Sequence, residues 1–272
     1  MYLKKSSSLF LIIIISLFIN VSGCIESETI QNTTQTNPID ENNPPMDGNI
    51  TIVDLKDLQE TIDEASDGSI ILVRSGILDH TIYVNRTIEL KGYDDMSSIL
   101  EVNDSMVNPA FIIRNDSVHL SNITLISTFK EHMLDTPVSL TGIEIRSSDC
   151  IIDHLDISSF NIGIRTQGQQ GNIIENTMIQ NASIGIELWD ADNNMVKNCT
   201  ISSCEQFGVF IGFDATGNQV SYCLISHCDN GVRITKFAQD NFVIRNTFRS
   251  CRNPYYECCG ATNNEYVLNI EE

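Results

Sequence analysis

From Gly142 onward the chain repeats itself about every 23 residues. Gly142-Ile-Glu-Ile, Gly163-Ile-Arg-Thr, Gly185-Ile-Glu-Leu, Gly208-Val-Phe-Ile and Gly231-Val-Arg-Ile recur at intervals of 21, 22, 23 and 23 residues. Each is followed by a second short apolar segment. A fixed period of this length marks a solenoid. Each unit has room for two or three short strands in period-2 alternation and none for a helix. Neighbouring units therefore bury their apolar faces only by stacking strand on strand. The expected fold class is all-β, a single-stranded parallel β-helix.

The second segment sets the register. With Ile157, Ile179, Ile201, Ile225 and Phe248 superposed, two residues before them stand Leu155, Thr177, Cys199, Cys223 and Asn246. Five before stand Ile152, Ile174, Val196, Val220 and Val243, a second inward column. Seven before stand Cys150, Asn172, Asn194, Asn218 and Asn241. Stacked strands lie roughly 4.8 Å apart, so like residues at one coil position form a ladder whose amides hydrogen-bond one another. Asn also tolerates the left-handed backbone of a coil corner. These asparagines are read as structural.

The N-terminal region carries addressing information. Lys4 and Lys5 precede the apolar run Leu9 to Val21, too short to span a bilayer comfortably, and Val21-Ser22-Gly23-Cys24 follows. This pattern reads as an export signal over residues 1–24. Val21 to Cys24 resembles the lipobox of prokaryotic lipoproteins, which implies lipidation of Cys24 after cleavage. Residues 25–49 are rich in Asn, Thr, Pro, Ser and Glu, the composition of a solvated tether. Removing Lys4 and Lys5 leaves 14 basic against 36 acidic side chains, a net charge near −22. Such a surface repels nucleic acid and anionic lipid, so the expected partners are glycans, with the membrane reached through the anchor alone. Eight Asn-x-Ser/Thr sequons, at Asn32, Asn49, Asn85, Asn103, Asn115, Asn122, Asn181 and Asn198, permit glycosylation.

The β-helix domain is expected over residues 50–272, with an N-terminal cap at 50–68. In Asp54 to Gly68, Leu55, Leu58, Ile62 and Ala65 share one helical face, with Asp54 placed to N-cap and Gly68 to stop the helix. A solenoid exposes the end of its first coil, and this amphipathic helix is the candidate cover. Strands follow at Ser69 to Val73, Thr81 to Val84 and Thr87 to Leu90, with a Ser75-Gly76 turn between. The run from Leu58 through Asp67-Gly68-Ser-Ile-Ile-Leu-Val, Ser75-Gly76 and Ile82-Tyr-Val-Asn-Arg-Thr-Ile-Glu-Leu-Lys-Gly92, followed by Asn-x-Ile/Val coils, resembles the NosD-like, pectate-lyase-like superfamily of β-helix repeat proteins. The resemblance spans about residues 52–270 and implies a right-handed coil. It implies no single function, because that superfamily holds polysaccharide lyases and hydrolases, carbohydrate-binding surface proteins and periplasmic proteins of copper-site maturation.

Candidate chemistry lies where the period is interrupted and where coils turn. The coil after Leu125 takes 32 residues, with the excess in Thr128 to Pro137. Lys130, Glu131, His132 and Asp135 there are candidate ligand-binding groups, since solenoid insertions commonly wall a groove. Outward positions of the Gly-led strands read Glu144, Arg165, Glu187, Phe210 and Arg233, an expected ladder of exposed, alternating charge. Beside it lie Trp189-Asp190-Ala-Asp192 and Phe213-Asp214. Trp189, Phe210 and Phe213 offer flat apolar faces for a sugar, and Asp190, Asp192 and Asp214 offer oxygen ligands for its hydroxyls or for Ca²⁺. No cofactor is required for binding. Were the chain a lyase of the kind the resemblance includes, these aspartates with Arg165 or Arg233 would be the candidates, but no catalytic signature of that family is present. The cysteines cluster as well: Cys199 and Cys223 share one column, and Cys204, Cys228 and Cys251 share another. Buried thiols, disulfides between adjacent coils and Cu(I) binding all remain open for them, with Cys258 and Cys259 further along. The expected function is recognition of a carbohydrate or envelope polymer at the cell surface or a structural surface role. Polysaccharide cleavage is the alternative and copper handling the third reading.

Overall fold

The computed structural model describes residues 49–93, 98–129 and 139–272. Short strands, mostly alternating in burial in two of the sheets and buried on both sides over much of the eight-stranded one, wind into parallel sheets of ten, eight and nine strands. One coil shows the path. Ile162–Gln167 lies in the eight-stranded sheet, Ile173–Glu175 in the ten-stranded sheet and Met178–Gln180 in the nine-stranded sheet. The next coil repeats all three in register.

Both apolar columns stack as the periodicity requires. Leu125, Ile157, Ile179, Ile201, Ile225 and Phe248 pair in succession, as do Ile152, Ile174, Val196, Val220 and Val243. All are buried, and burying such a side chain contributes roughly 1.5–3 kcal/mol. The repeated glycines have a different cause, namely close approach of backbones. A Cβ on Gly185 would lie 2.5 Å from the Gly208 carbonyl oxygen and 2.7 Å from Ile201 Cγ2 in the coil interior.

From Ser117 onward the corners turn on left-handed residues. Between the ten- and nine-stranded sheets these are Asn122, His154, Asn176, Asn198, Tyr222, Arg245 and Leu268, with φ from 49° to 57°. The expectation that the ladder asparagines themselves adopt this conformation is corrected. The left-handed residue is the one before: Gly171, Asn193, Gly217 or Asp240. That turn aims the following Asn into the core, where Asn172, Asn194, Asn218 and Asn241 are buried. Buried amides need partners, and here they have them. Each Oδ1 accepts the backbone N–H of the ladder residue one coil earlier, at 2.9 Å. Each Nδ2 donates to a backbone carbonyl at a corner, as Asn218 does to Ala191 at 2.7 Å. Asn264 extends this ladder, and Asn246 with Asn269 forms another at the next corner.

The cysteine columns form, and their thiols are free. Cys199 packs on Cys223, and Cys228 lies between Cys204 and Cys251. Contact with Cys204 and burial push the Cys228 thiol up to about 12, which keeps it protonated and inert. The disulfide expectation is therefore not met. Among the described residues no group of three or more His, Cys, Asp or Glu side chains is placed to hold a metal ion.

At the N-terminal end a 3-10 turn, Leu55–Asp57, leads into the helix Leu58–Glu64. Leu55, Leu58 and Ile62 are buried, as their helical spacing requires, with Ala65 packed beside them. Two details differ. Asp54 makes no side-chain cap but takes Arg74 Nη1 at 3.0 Å, and the helix ends four residues before Gly68. Gly68, at φ 83°, instead turns the chain and donates its N–H to the Thr87 carbonyl. The strand Ile50–Val53 precedes the helix and pairs with Ile70–Val73, so the cap segment also begins a sheet. The observed strands Ile70–Val73, Ile82–Val84 and Glu89–Gly92 lie within two residues of expectation, whereas Gly76–Leu78 is a strand and not only a turn. Among the described residues no helix is long and apolar enough to cross a membrane.

Candidate functional site

The outer face of the eight-stranded sheet gathers most of the candidate residues. One column runs Tyr83, Ile112, Glu144, Arg165, Glu187, Phe210, Arg233, Tyr256, paired strand to strand. Gln167, Trp189 and Gly212 run beside it. Parallel stacking spaces these residues about 4.8 Å apart along a continuous flat surface.

The expected charge ladder is half formed. Arg165 Nε donates to Glu187 Oε2 at 2.5 Å, but Glu144 accepts from Arg146 Nε, just past the end of its own strand Thr141–Ile145, at 2.6 Å. Arg146 stands two residues along and hence on the same face, which lets it reach. The carboxylates are also not exposed: Glu144 is 6% and Glu187 4% accessible. A carboxylate so buried requires a charged partner, and each has one arginine. That pairing fixes both as positioned, ion-paired groups on this face.

Beyond Glu187 the face becomes aromatic. The Phe210 ring lies over Gly212, where an added Cβ would come within 2.8 Å of it. Phe210 contacts Phe207 and Trp189, with ring centroids 5.3 and 6.4 Å away. Trp189 stacks on Phe213 at 3.3 Å and 20°. Stacked in this way, Trp189 and Phe213 each cover one flat face of the other, which leaves a sugar only their remaining surface. Stacking at strand spacing removes more apolar area from water than two separate rings would. Two cations complete the cluster. Lys236 Nζ lies 3.4 Å from the Phe213 centroid, and the Arg233 guanidinium lies 5.0 Å from Phe207 and 5.3 Å from Tyr256. Among the described residues neither cation has a carboxylate partner, and Arg233 Nε is buried with no hydrogen bond.

Phe207, Lys236 and Tyr256 were missed by sequence reasoning. Phe207 directly precedes the repeat glycine Gly208, so its position was available from the register. Tyr256 lies in a coil where Pro254 stands opposite Gly231, which hides the repeat. Lys236 sits at a corner, where periodicity carries no information. The aspartates are placed at corners too. Asp190 and Asp192 line a shallow polar cleft of about 280 Å³ with Ser148, Gln169 and Gln170. Asp192 Oδ1 is occupied by the Thr216 N–H at 2.8 Å, and Asp214 is exposed at φ 64°. These three do not converge on a cation site. Lys130, Glu131, His132 and Asp135, like Cys24, lie outside the described residues.

A family model described as right handed beta helix region matches residues 99–269. No curated protein matches the sequence. Among solved structures, an alginate lyase from Paenibacillus sp. str. FPU-7 superposes with TM-score 0.63 at 13% identity, covering 82% of this chain and 98% of that one. The catalytic domain of GH87 alpha-1,3-glucanase in complex with nigerose superposes with TM-score 0.63 at 13% identity, over 87% of this chain and 46% of that one. A pectin methylesterase in complex with hexasaccharide VII gives TM-score 0.53 at 10% identity, over 77% and 80%. At these identities the likeness is one of fold.

Proposed function

The chain belongs to the right-handed β-helix family, and on that premise we propose that it binds an extended glycan along the outer face of its eight-stranded sheet. Its reading as a lipoprotein, with lipid on Cys24 and residues 25–49 as tether, places the work at the cell surface. One observation carries the binding reading. In a chain with 36 acidic and 16 basic residues, Arg233 and Lys236 stand without carboxylate partners among the described residues, beside Phe207, Phe210, Trp189, Phe213 and Tyr256. Aromatic surface takes the apolar faces of sugar rings, and unpaired cations take their hydroxyls or carboxylates. The flat strand stack adds repetition, so subsites recur along a polymer. The carbohydrate ligands and substrates named for the solved structures of like fold support a glycan as the partner.

Cleavage is the second reading, supported by Glu144 and Glu187 on the same face, each set by an arginine. A hydrolase needs two carboxyls flanking the scissile bond, one able to give a proton. Carboxylates held in tight ion pairs are poorly suited to that role, so binding is preferred. Incubating the full chain in detergent with neutral and acidic polysaccharides, and following retention together with polymer length, separates the two. Binding predicts retention with unchanged length. Shortening of any polymer overturns it in favour of cleavage, and absence of retention removes the glycan reading.

A further inference from the structure

Among the described residues most thiols are sealed in the core, and two are not. Cys150, Cys199, Cys204, Cys223 and Cys228 are buried, and the half-buried Cys251 reaches inward toward the Ile225 carbonyl. Cys258 and Cys259 instead lie at the accessible end of the eight-stranded sheet's outer face, just past the strand Asn253–Glu257. Consecutive residues of a strand point to opposite faces, which would separate two adjacent thiols. Here Cys259 takes φ 60° and Gly260 φ 85°, and the turn brings the sulfurs to 2.8 Å.

The surroundings of Cys258 are those of a reactive thiol. Its Sγ lies 3.3 Å from Thr235 Oγ1 and 3.8 Å from Arg233 Nη2. Among the described residues Arg233 has no carboxylate partner, and the Cys258 sulfur is the group its Nη2 reaches. We infer that Cys258 and Cys259 form a redox-active dithiol, which a small-molecule disulfide oxidises to a bond between the two adjacent cysteines. Burial pushes the Cys258 thiol up, but hydrogen bonds from Cys259, Thr235 and Arg233, with the Arg233 charge, bring it below the ordinary thiol value. Cys251, in contact with Cys228 and partly buried, is pushed far above that value. The other half-buried thiol is therefore protonated and slow.

The chemistry balances as thiol–disulfide exchange. The Cys258 thiolate attacks one sulfur of the small disulfide; the S–S bond breaks, and one thiolate leaves with its electron pair and takes a proton. Cys259, its proton lost to water, attacks the Cys258 sulfur and expels the second small thiolate. Two protein thiols lose two electrons and two protons, and one disulfide becomes two thiols. Oxidation also withdraws the anionic sulfur from Arg233, leaving the guanidinium to Phe207 and Tyr256. The inference stands independently of any glycan.

The test treats the full chain in detergent with oxidised glutathione, alkylates the remaining thiols and maps peptides by mass. The expected product is the peptide containing Cys258 and Cys259 lighter by about 2 Da with no adduct, while the column thiols alkylate only after unfolding. Cys259→Ser is expected to stall as a glutathione adduct on Cys258, and Arg233→Gln to slow the first step severalfold. A stable adduct on Cys259 of the wild-type chain, a bond from Cys258 to Cys251, or no reaction at either residue overturns the inference. Circular dichroism of each variant separates loss of reactivity from loss of fold.

Discussion

Trp189 and Phe213, from successive coils, stack with centroids 3.3 Å apart and planes 20° from parallel, and Lys236 from the next coil places its ammonium 3.4 Å from the Phe213 centroid. The three groups come from successive coils and form one column, with both rings half-buried and Lys236 exposed. Trp189 is the only Trp of the chain, so its emission reports this face alone. Phe213→Ala is expected to shift that emission to longer wavelength, by exposing the indole face Phe213 covers, while the fold is retained. Unchanged emission would mean the stack does not form in solution.

Asn218 holds two coils together. Its Oδ1 accepts from the Asn194 backbone and side chain, and its Nδ2 donates to Ala191 and Asn241. Alanine would leave the Asn194 N–H and the Ala191 carbonyl without these partners in the core, at about 1–3 kcal/mol each. Chemical denaturation of Asn218→Ala should show a loss of about 3 kcal/mol; a loss under about 1 kcal/mol would make the ladder ornamental.

Backbone approach and corner geometry predict opposite signs for two substitutions. Gly185→Ala drives a methyl group into the Gly208 carbonyl and Ile201, and should destabilise by about 2 kcal/mol, the usual cost of overpacking. Leu268 is exposed and left-handed at φ 57°, where a Cβ costs about 1–2 kcal/mol. Leu268→Gly relieves that cost against a smaller gain in unfolded-chain entropy and should stabilise by about 0.5 kcal/mol. Thermal melting compared across the two variants checks both signs at once.

Asp153 supplies an acid limb to stability. Burial raises its carboxyl, but hydrogen bonds from Asn176 and His154, with the charges of His154 and His119, hold it below the ordinary carboxylate value. A group lowered on folding stabilises above its unfolded value and loses that contribution as pH falls through its folded one. Melting temperature should therefore drop as pH falls below about 4, and Asp153→Asn should shallow that drop. Parallel acid limbs in wild type and variant would remove Asp153 from the account.

How much of this was legible in the sequence follows from what repeats. The inward columns and the Asn ladder were readable because strand stacking forces one residue type to recur at one coil position. The second ladder was less so: Cys199 and Cys223 precede Asn246 and Asn269 in that column, and only the last two can pass the hydrogen bonds onward. Charge pairing was misread because period fixes which strand a side chain neighbours, not which neighbour it prefers. Glu144 pairs with Arg146, just past its own strand, rather than with Arg165 on the neighbouring one. The aromatic face was half legible. Trp189, Phe210 and Phe213 stood out by type, whereas Lys236 and Cys259 depend on corner conformations that follow from left-handed residues the period does not specify.

The claim that the eight-stranded sheet's outer face binds a glycan is tested most directly by titrating Trp189 emission of the full chain in detergent with polysaccharides that the protein retains. Phe210→Ala tests the face, and Lys197→Ala, on the ten-stranded sheet, serves as control. The predicted result is a saturable emission change that Phe210→Ala weakens by about tenfold or more and Lys197→Ala leaves intact. Retention of a polymer with no change in Trp189 emission, or equal losses in both variants, would contradict it.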